Sequence, residues 1–337
     1  MLMCKRIFAH QTSEQGDVPF YKIGTIGAEP DSYISRELFE DYRTKYNYPR
    51  EGEVMVTCAG TVGKTIVFNG DDSYYQDSNI VWLSNPKQLY LNSFLNYYLS
   101  RVNWNKLNST TITRIYNDNL RELIIKYPSV EEQEKIVSLL SLLDQRIAVQ
   151  NKVIELYESL IKALAYEKIG KHTTNITLSE CVRCSSSTIK ESDLLDGGTV
   201  PAYGASGISG YMNNAISEND SILITKDGSG VGSLRYVRGS HSFVGTLNSM
   251  TPNEGVYLPY IYYALQNVCF ESYRTGQAIP HIYFKDYGKE AIYCPSFDEQ
   301  KRLAKGLEII DSKVGIERAA LQYLHSAKAY LLSAMFI

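Results

Sequence analysis

The chain has 337 residues, of which 44% are hydrophobic and 21% are charged, a composition that excludes extended disorder and predicts about two globular domains. Its 34 basic and 37 acidic side chains give a formal net charge of -3, which argues against a strongly basic nucleic-acid binder. No apolar run of about 18 residues predicts a membrane span, and the first residues lack the apolar core of a signal peptide. These features, with six scattered cysteines, predict a cytoplasmic protein.

The sequence predicts a first, β-rich module over residues 1–127. Runs of strand-forming residues broken by glycine predict strands at 53–57, 65–69 and 79–83. Apolar residues at helical spacing predict a helix over 91–102, and a further strand is predicted at 122–127.

A long helix is predicted within 128–170. Ser129 is placed to cap it, and the acidic residues that follow favour its positive end. From Ile136 to Leu164, seam positions recur in alternating steps of four and three, the spacing of a coiled coil. Gln150 interrupts this apolar seam.

The chain is a tandem duplication. The motif Pro128-Ser129-x-x-Glu132-Gln133 recurs 167 positions later as Pro295-Ser296-x-x-Glu299-Gln300, and the same offset relates Tyr90-Leu91 to Tyr257-Leu258. The second copy predicts a module over 171–294, with strands at 221–225, 233–237 and 290–294 and a helix over 259–273. A second seam helix follows at 295–337, where Glu317 interrupts the seam at the register of Gln150.

The two copies differ at their beginnings. A lead-in at 176–182 precedes the second module and has no counterpart in the first, so the first is either abbreviated or completed by another segment. We therefore expect an α+β fold of two tandem mixed α/β modules, 1–127 and 171–294, separated by helical spacers at 128–170 and 295–337. The helices are expected to pair as an antiparallel coiled coil.

No catalytic motif is evident. Gly60-Thr61-Val62-Gly63-Lys64-Thr65 lacks the earlier glycine of a phosphate-binding loop and is interpreted as a strand–turn–strand connection. Cys181-x-x-Cys184 has no second ligand pair for zinc, so these cysteines are expected to be structural. Hydrolase, dinucleotide and methyltransferase motifs are also missing, so we expect no catalytic residue, no metal and no cofactor in this chain. This favours a reader or a scaffold.

Two modules on rigid helices suit a ligand with two marks at a fixed separation, such as DNA half-sites. Arg, Lys, Asn and Gln can bond base edges, while Ser, Thr, Tyr and Lys often hold phosphates. Residues of these types fall in or beside equivalent loops of the two copies. The candidates are Lys5, Arg6, Tyr21, Lys22, Thr25, Gln76, Asn79, Thr110, Thr111 and Arg114 in the first copy, and Tyr203, Ser206, Lys226, Ser229, Arg235, Asn248, Gln277, His281 and Lys285 in the second.

Taken together, the sequence resembles the specificity (S) subunit of type I restriction-modification enzymes. The resemblance rests on the twin Pro-Ser-x-x-Glu-Gln helix starts and on loop motifs: Met3-Cys4-Lys5-Arg6-Ile7, Val18-Pro19-Phe20-Tyr21-Lys22-Ile23-Gly24, Gly60-Thr61-Val62-Gly63, Gln76-Asp77-Ser78-Asn79-Ile80 and Pro201-Ala202-Tyr203-Gly204-Ala205-Ser206-Gly207. It implies two target recognition domains that each read half of a split double-stranded DNA site. It also implies helices that bind two methylation subunits, which carry S-adenosylmethionine, with restriction subunits as further partners.

Two alternatives stay open. One is a non-catalytic coiled-coil scaffold whose modules bind proteins, and the other is the DNA-reading component of a type IIB-like modification enzyme. The charge is spread evenly, since residues 1–126 carry 14 basic and 14 acidic side chains and residues 171–293 carry 9 and 11. A DNA reader of this composition would bind weakly by itself and rely on its methylation partners for phosphate contacts.

Overall fold

The computed structural model describes residues 1–77, 79–85, 89–104, 114–276 and 279–336. The chain divides into two compact units. The first contains Met1–Val149 and Leu321–Ile337, and the second contains Gln150–Ala320. Among the described residues, no helix is long and apolar enough to cross a membrane.

The first unit combines two small sheets with helices. Its elements in chain order are β1 (Val18–Tyr21), β2 (Tyr33–Ile34), α1 (Arg36–Lys45), β3 (Val54–Thr57), β4 (Thr65–Val67), β5 (Tyr74–Tyr75), β6 (Ile80–Trp82), α2 (Asn92–Ser100), α3 (Asn117–Arg121) and the start of α4 (Val130–Ala165). One sheet has the order β2-β1-β5 and the other β4-β3-β6. Strand β3 is buried along its whole length because the core lies on both of its faces.

The second unit has the same plan with additional strands. After the end of α4 come β7 (Ile176–Thr177), α5 (Leu178–Cys181), β8 (Val182–Ser186), β9 (Val200–Gly204), β10 (Gly207–Met212), β11 (Ser221–Thr225), β12 (Leu234–Val237), β13 (Ser242–Phe243), β14 (Leu247–Pro252), α6 (Leu258–Ala264), α7 (Phe284–Tyr287), β15 (Ala291–Ile292) and α8 (Phe297–Met335). Its sheets have the orders β10-β9-β13 and β12-β11-β14-β8, and β15 pairs with β7. Two of these sheets repeat the two sheets of the first unit, with β8 added at one edge.

The lead-in predicted at 176–182 forms β7, α5 and the start of β8. In the first unit, Leu2 forms a two-bond bridge with Trp82 on the edge strand β6. Trp82 is the counterpart of Ser249, which pairs with Ser185 of β8. The N-terminal residues therefore take part of the position of β8.

Two sequence predictions are corrected by the structure. No strand forms at 122–127, because among the described residues no segment takes the position that β7 has beside β15. The helix predicted over 259–273 ends at Ala264 and continues as two short 3₁₀ turns, Leu265–Asn267 and Phe270–Tyr273. An extended residue, Val268, follows the first turn and stops the helix.

The two long helices form as predicted. They pair in an antiparallel sense in each unit: Lys328 contacts Asp144 in the first unit, and Gln150 contacts Glu317 in the second. All eighteen predicted seam positions, from Ile136 to Leu164 and from Leu303 to Leu331, are buried or half-buried. Ile154, 7% exposed, is thus packed within the intramolecular pair.

The polar pair in the seam consists of residues that are repeat counterparts. The Gln150 amide, only 2% exposed, donates to the backbone carbonyl of Glu317 at 3.2 Å and to its carboxylate. Because a buried polar group without a partner is costly, this pair favours the register in which the two residues meet.

The repeated Gln of the helix-start motif ties each long helix to its module. Gln133 is fully buried; its Oε1 accepts from the Leu91 amide at 2.7 Å and its Nε2 donates to the Pro128 carbonyl at 2.9 Å. In the second unit, Gln300 accepts from the Tyr257 amide at 2.8 Å and donates to the Pro295 carbonyl at 2.8 Å. One side chain thus satisfies backbone groups at the start of two elements.

Glycine allows each β-hairpin loop to approach an aromatic ring. Gly63, in the β3–β4 connection, has φ +81° and a Cβ placed on it would lie 2.0 Å from the Trp104 ring. Gly232, in the β11–β12 connection, has φ +85° and its Cβ would lie 2.7 Å from Phe270 Cβ. The segment 60–65 is therefore a hairpin connection, as predicted, and its second glycine is required by backbone conformation and space together.

Replacing Gln133 with Ala should lower the free energy of unfolding by about 3 kcal/mol, because the Leu91 amide and the Pro128 carbonyl would lose their buried partner. Gln145→Ala, on an exposed position of the same helix, should change it by less than about 0.5 kcal/mol. Urea denaturation followed by circular dichroism would measure both. Equal midpoints for the two variants would contradict the role of Gln133.

Gly232→Ala should destabilise the protein by about 2–3 kcal/mol, since it combines left-handed strain with a clash. Gly228→Ala provides the matched control: its φ is +94°, but nothing lies within 4 Å of the new Cβ. The control should cost only about 1 kcal/mol. Thermal unfolding of the two variants would separate strain from contact, and identical shifts would remove the contact with Phe270 from the explanation.

Candidate nucleic-acid interface

Four loops of the first unit meet at one end of its sheets. Their described residues are 22–28, 58–64, 76–77, 79 and 114–116, and we call them loop cluster 1. Gln76 Oε1 accepts from the Ile23 amide at 3.3 Å, and Lys64 Nζ donates to the Ile26 carbonyl at 2.6 Å. The loops are thus held together by contacts between elements that are distant in sequence.

The second unit has an equivalent group, loop cluster 2, formed by residues 205–206, 226–233, 244–246 and 279–285. The Gly228 amide donates to the Pro280 carbonyl at 2.9 Å, which joins the hairpin loop to the segment before α7. Ala205 lies beside Thr225, Ser233 and Leu247 in a small cavity, so the β9–β10 turn belongs to the same surface.

The two clusters share one backbone frame. In cluster 1, the Ile115 amide donates to the Cys58 carbonyl at 2.9 Å, and the Cys58 amide donates to the Asn79 carbonyl at 2.7 Å. In cluster 2, the amide of Ile282 donates to the Lys226 carbonyl at 2.9 Å, and the amide of Lys226 donates to the Thr246 carbonyl at 2.9 Å. Cys58 and Lys226 therefore occupy the same place in the two units.

The side chains carried by this frame differ. Cys58 is buried, and burial raises the pKa of its thiol to about 11 while the nearby Arg114 opposes that rise. Lys226 is half-buried. Burial raises the pKa of the nearby Cys184 thiol, and Lys226 opposes that rise. An uncharged thiol and a cationic amine at one position give the two surfaces different chemistry.

In the first unit, the structure brings together five of the predicted DNA-binding residues, and all five are half-buried. Lys22 pairs with Asp31 at 3.0 Å, and Thr25 Oγ1 accepts from the Lys22 amide at 3.1 Å. Arg114 lies 6.0 Å from the centroid of the exposed Tyr116 ring. The five residues in cluster 1 are Lys22, Thr25, Gln76, Asn79 and Arg114.

The remaining predictions in the first unit have other positions. Tyr21 lies in β1 beside the cluster and stacks on Tyr75 with a centroid distance of 5.7 Å. Lys5 lies over the Tyr46 ring and Arg6 over the Phe8 ring, and no described contact joins either side chain to cluster 1. The last two, Thr110 and Thr111, fall outside the described residues.

In the second unit, Arg235 stacks over Tyr203 at 5.9 Å, and Lys285 lies 5.1 Å from the Tyr283 ring centroid. Within the described part of the chain, no carboxylate forms an ion pair with Lys226, Arg235 or Lys285. The predicted residues that lie in cluster 2 or against it are Tyr203, Ser206, Lys226, Ser229, Arg235, His281 and Lys285. The prediction at Gln277 falls outside the described residues.

Asn248 has a structural environment. It lies in β14 and is 4% exposed; its Nδ2 donates to the Tyr287 hydroxyl at 3.2 Å, and its Oδ1 accepts from Ser186 at 2.7 Å. We therefore assign it to the interior. The sequence places Asn248 in or beside a loop, and nothing in the local pattern indicates its interior partners Tyr287 and Ser186.

The candidate set for cluster 1 omitted Lys64, whose amine links two loops. The sequence indicates Lys64 only as part of a strand–turn–strand connection, in which it follows Gly63. Among the described residues, no group of three or more His, Cys, Asp and Glu side chains is placed to hold a metal ion. The Cys181 thiol interacts with Cys294, and Cys184 Sγ lies 3.9 Å from the Tyr287 hydroxyl, so the two cysteines of the Cys-x-x-Cys pair have different partners.

The sequence matches the family described as the type I restriction modification DNA specificity domain, over residues 2–158 and 174–325. A Haemophilus influenzae protein named as a type I restriction enzyme specificity subunit is 49% identical over 138 residues, which are 41% of this chain and 36% of that protein. The matched segment thus spans about a third of that relative. A Mycoplasma genitalium protein named as a type I specificity subunit is 27% identical over 255 residues, 67% of this chain and 65% of the other.

The fold is also found among solved structures. The S subunit of a type I restriction-modification system from M. genitalium superimposes with a TM-score of 0.60 at 22% identity, covering 99% of this chain and 92% of the other. This likeness confirms the α+β fold with two long helices. The family match, which covers both repeats, confirms the resemblance seen in the sequence: the chain belongs to the family of type I restriction-modification DNA specificity subunits, a non-catalytic family.

Proposed function

We propose that this chain reads a bipartite DNA sequence, with loop cluster 1 contacting one half-site and loop cluster 2 the other. The observation that carries the proposal is the common backbone frame of the two clusters. Two surfaces that read different DNA sequences need the same backbone frame and different side chains. Cys58 and Lys226 meet this requirement, because they share a backbone position and differ in side-chain chemistry. Base edges are distinguished by side-chain donors and acceptors, whereas the backbone frame sets their position.

Charge supports a reading role without strong intrinsic affinity. Lys226, Arg235 and Lys285 are cationic side chains without an ion pair in the described structure, whereas Lys22 in cluster 1 is already paired. The small number of available cations predicts few neutralised phosphates and a shallow salt dependence for the chain alone. The main phosphate contacts are then supplied by partner subunits.

The helices carry a surface for such partners. Besides the buried seam, α8 has a second apolar stripe with heptad spacing: Ile309, Ile316, Tyr323 and Tyr330 are 61–77% exposed. Helix α4 carries the counterparts of the first three at Leu142, Val149 and Leu156, which are 51–70% exposed. A helix with two apolar seams packs against two neighbours, so each stripe suits a partner helix.

Because the stripe occurs on both helices at equivalent positions, we propose that it binds two copies of one partner, the methylation subunit. S-adenosylmethionine would be bound by that subunit, and restriction subunits would join the same assembly. Such an assembly acts on cellular DNA, so we place it in the cytoplasm.

The DNA-reading proposal is tested by Lys226→Ala/Arg235→Ala in the complex with the methylation subunit. The duplex is the site found by mapping modified adenines in cells with and without the gene. Each lost base contact should cost about 1–3 kcal/mol, and each lost phosphate contact should reduce the salt slope by about 0.9. Fluorescence anisotropy titrations at several salt concentrations measure both quantities.

Lys305→Ala, which removes an exposed lysine from α8, is the control and should bind as the wild type does. Unchanged affinity of the double variant would reject the assignment of these residues. DNA binding by the wild type that depends on neither base sequence nor salt concentration would favour the alternative function, a protein-binding scaffold.

The partner stripe is tested by Leu156→Asp and Ile316→Asp, which place a charge at exposed positions. Both variants should fold as the wild type does, because neither side chain is in the buried seam. Each should weaken binding at its own stripe at least tenfold and so leave about one methylation subunit per chain, since a charge in an apolar helix interface costs more than about 1.4 kcal/mol. Native mass spectrometry counts the bound subunits, and a full complement on both variants would exclude the stripe as the interface.

A further inference from the structure

In the second unit, the segment that follows α4 completes the module by lying along β15. The Asn175 side chain bonds the backbone of Cys294 twice, accepting from its amide at 2.8 Å and donating to its carbonyl at 2.9 Å. Ile176 and Thr177 then pair with Ile292 and Ala291 as a two-stranded sheet. These residues bring a strand and the short helix α5 onto the module.

The same segment fills the space beside the start of the long helix. His172 stacks on Tyr293 with a centroid distance of 4.4 Å. Further along, Leu178 is fully buried and its amide donates to the Glu290 carbonyl at 2.9 Å.

Among the described residues of the first unit, no such segment lies at the counterpart of this site. The counterparts of Tyr293, Cys294 and Glu299 are Lys126, Tyr127 and Glu132, and they line a groove of about 440 Å³ with Ala334 and Phe336. In the described part of the chain, no backbone group bonds to the peptide groups of Ile125 or Tyr127, and the Tyr127 side chain is 44% exposed. An edge and a groove that are covered in one repeat are thus open in the other.

We propose that the first unit binds an extended segment of a second polypeptide along residues 123–127 and in the groove beside Tyr127. The occupant is defined by what the second unit holds at this place. The proposed segment contains an Asn whose side-chain amide bonds the backbone of Tyr127. The next residue is β-branched and apolar and pairs with Ile125, and a Leu follows two positions after it.

This mode of binding is strand addition, in which backbone bonds supply affinity and alternate side chains supply specificity. The Asn requirement follows from geometry, because its side chain mimics a peptide group and satisfies one donor and one acceptor at once. The β-branched residue suits the pleated edge beside it. The proposal concerns a protein-binding edge and stands independently of the DNA-reading role.

The probe is a fluorescein-labelled 12-residue peptide with the sequence of residues 171–182, added to the full chain under reducing conditions. We expect saturable 1:1 binding in fluorescence anisotropy. A peptide carrying Asn175→Ala and Ile176→Asp should bind at least tenfold more weakly. Hydrogen exchange of the wild-type protein should slow at residues 123–127 when the peptide is present, a readout that needs no variant.

Two matched protein variants locate the site. Ala334→Trp fills the groove from an exposed position of α8 and should abolish binding, whereas Glu167→Trp, at the counterpart position in the second unit, should leave it unchanged. Three results would overturn the proposal: no saturable binding, equal binding by the two variants, or protection at residues 290–294 in place of 123–127. The last would mean that the peptide displaces the resident segment of the second unit.

Discussion

The attachment of each module to its long helix depends on one buried amide. Gln133 and Gln300 each sit in the first turn or two of a long helix and satisfy backbone groups of the preceding proline and of the segment entering the module's own helix. Few side chains could replace them, since the position requires a donor and an acceptor at the end of a chain long enough to cross between the two elements. The sheets and loop clusters of each unit are positioned by a helix whose starting point is fixed in this way.

Much of this fold was accessible from the sequence, because its strongest features are periodic. The 4-3 spacing specifies a face of a helix regardless of the surroundings, and it placed all the seam residues from Ile136 to Leu164 correctly. The strand expected at 122–127 failed for the opposite reason. A strand needs a neighbour, and local pattern does not show whether one is present. The same holds for Asn248, whose interior position is set by Tyr287 and Ser186, residues far away in sequence.

The candidate interface shows a similar division. Loop membership could be inferred for Lys22, Gln76 and Lys226, since glycines mark the turns. The sequence does not show which cationic side chains are free to bind a ligand, because Lys22 forms an ion pair with Asp31 and Lys64 joins two loops. The common frame around Cys58 and Lys226 was equally hidden, since the two residues are 168 positions apart and chemically unlike, so the repeat offset does not align them.

The contact between Gln150 and Glu317 has a consequence for how the duplicated chain is kept from pairing wrongly. A residue that touches its own repeat counterpart would, in two identical copies, meet a side chain of the same kind. Two glutamates there would repel each other, while two glutamines could exchange their donor and acceptor roles and would give no direction to the pair. With one amide and one carboxylate, donor and acceptor are assigned. The difference between Gln150 and Glu317 therefore favours the pairing of α4 with α8 over the pairing of either helix with a second copy of itself.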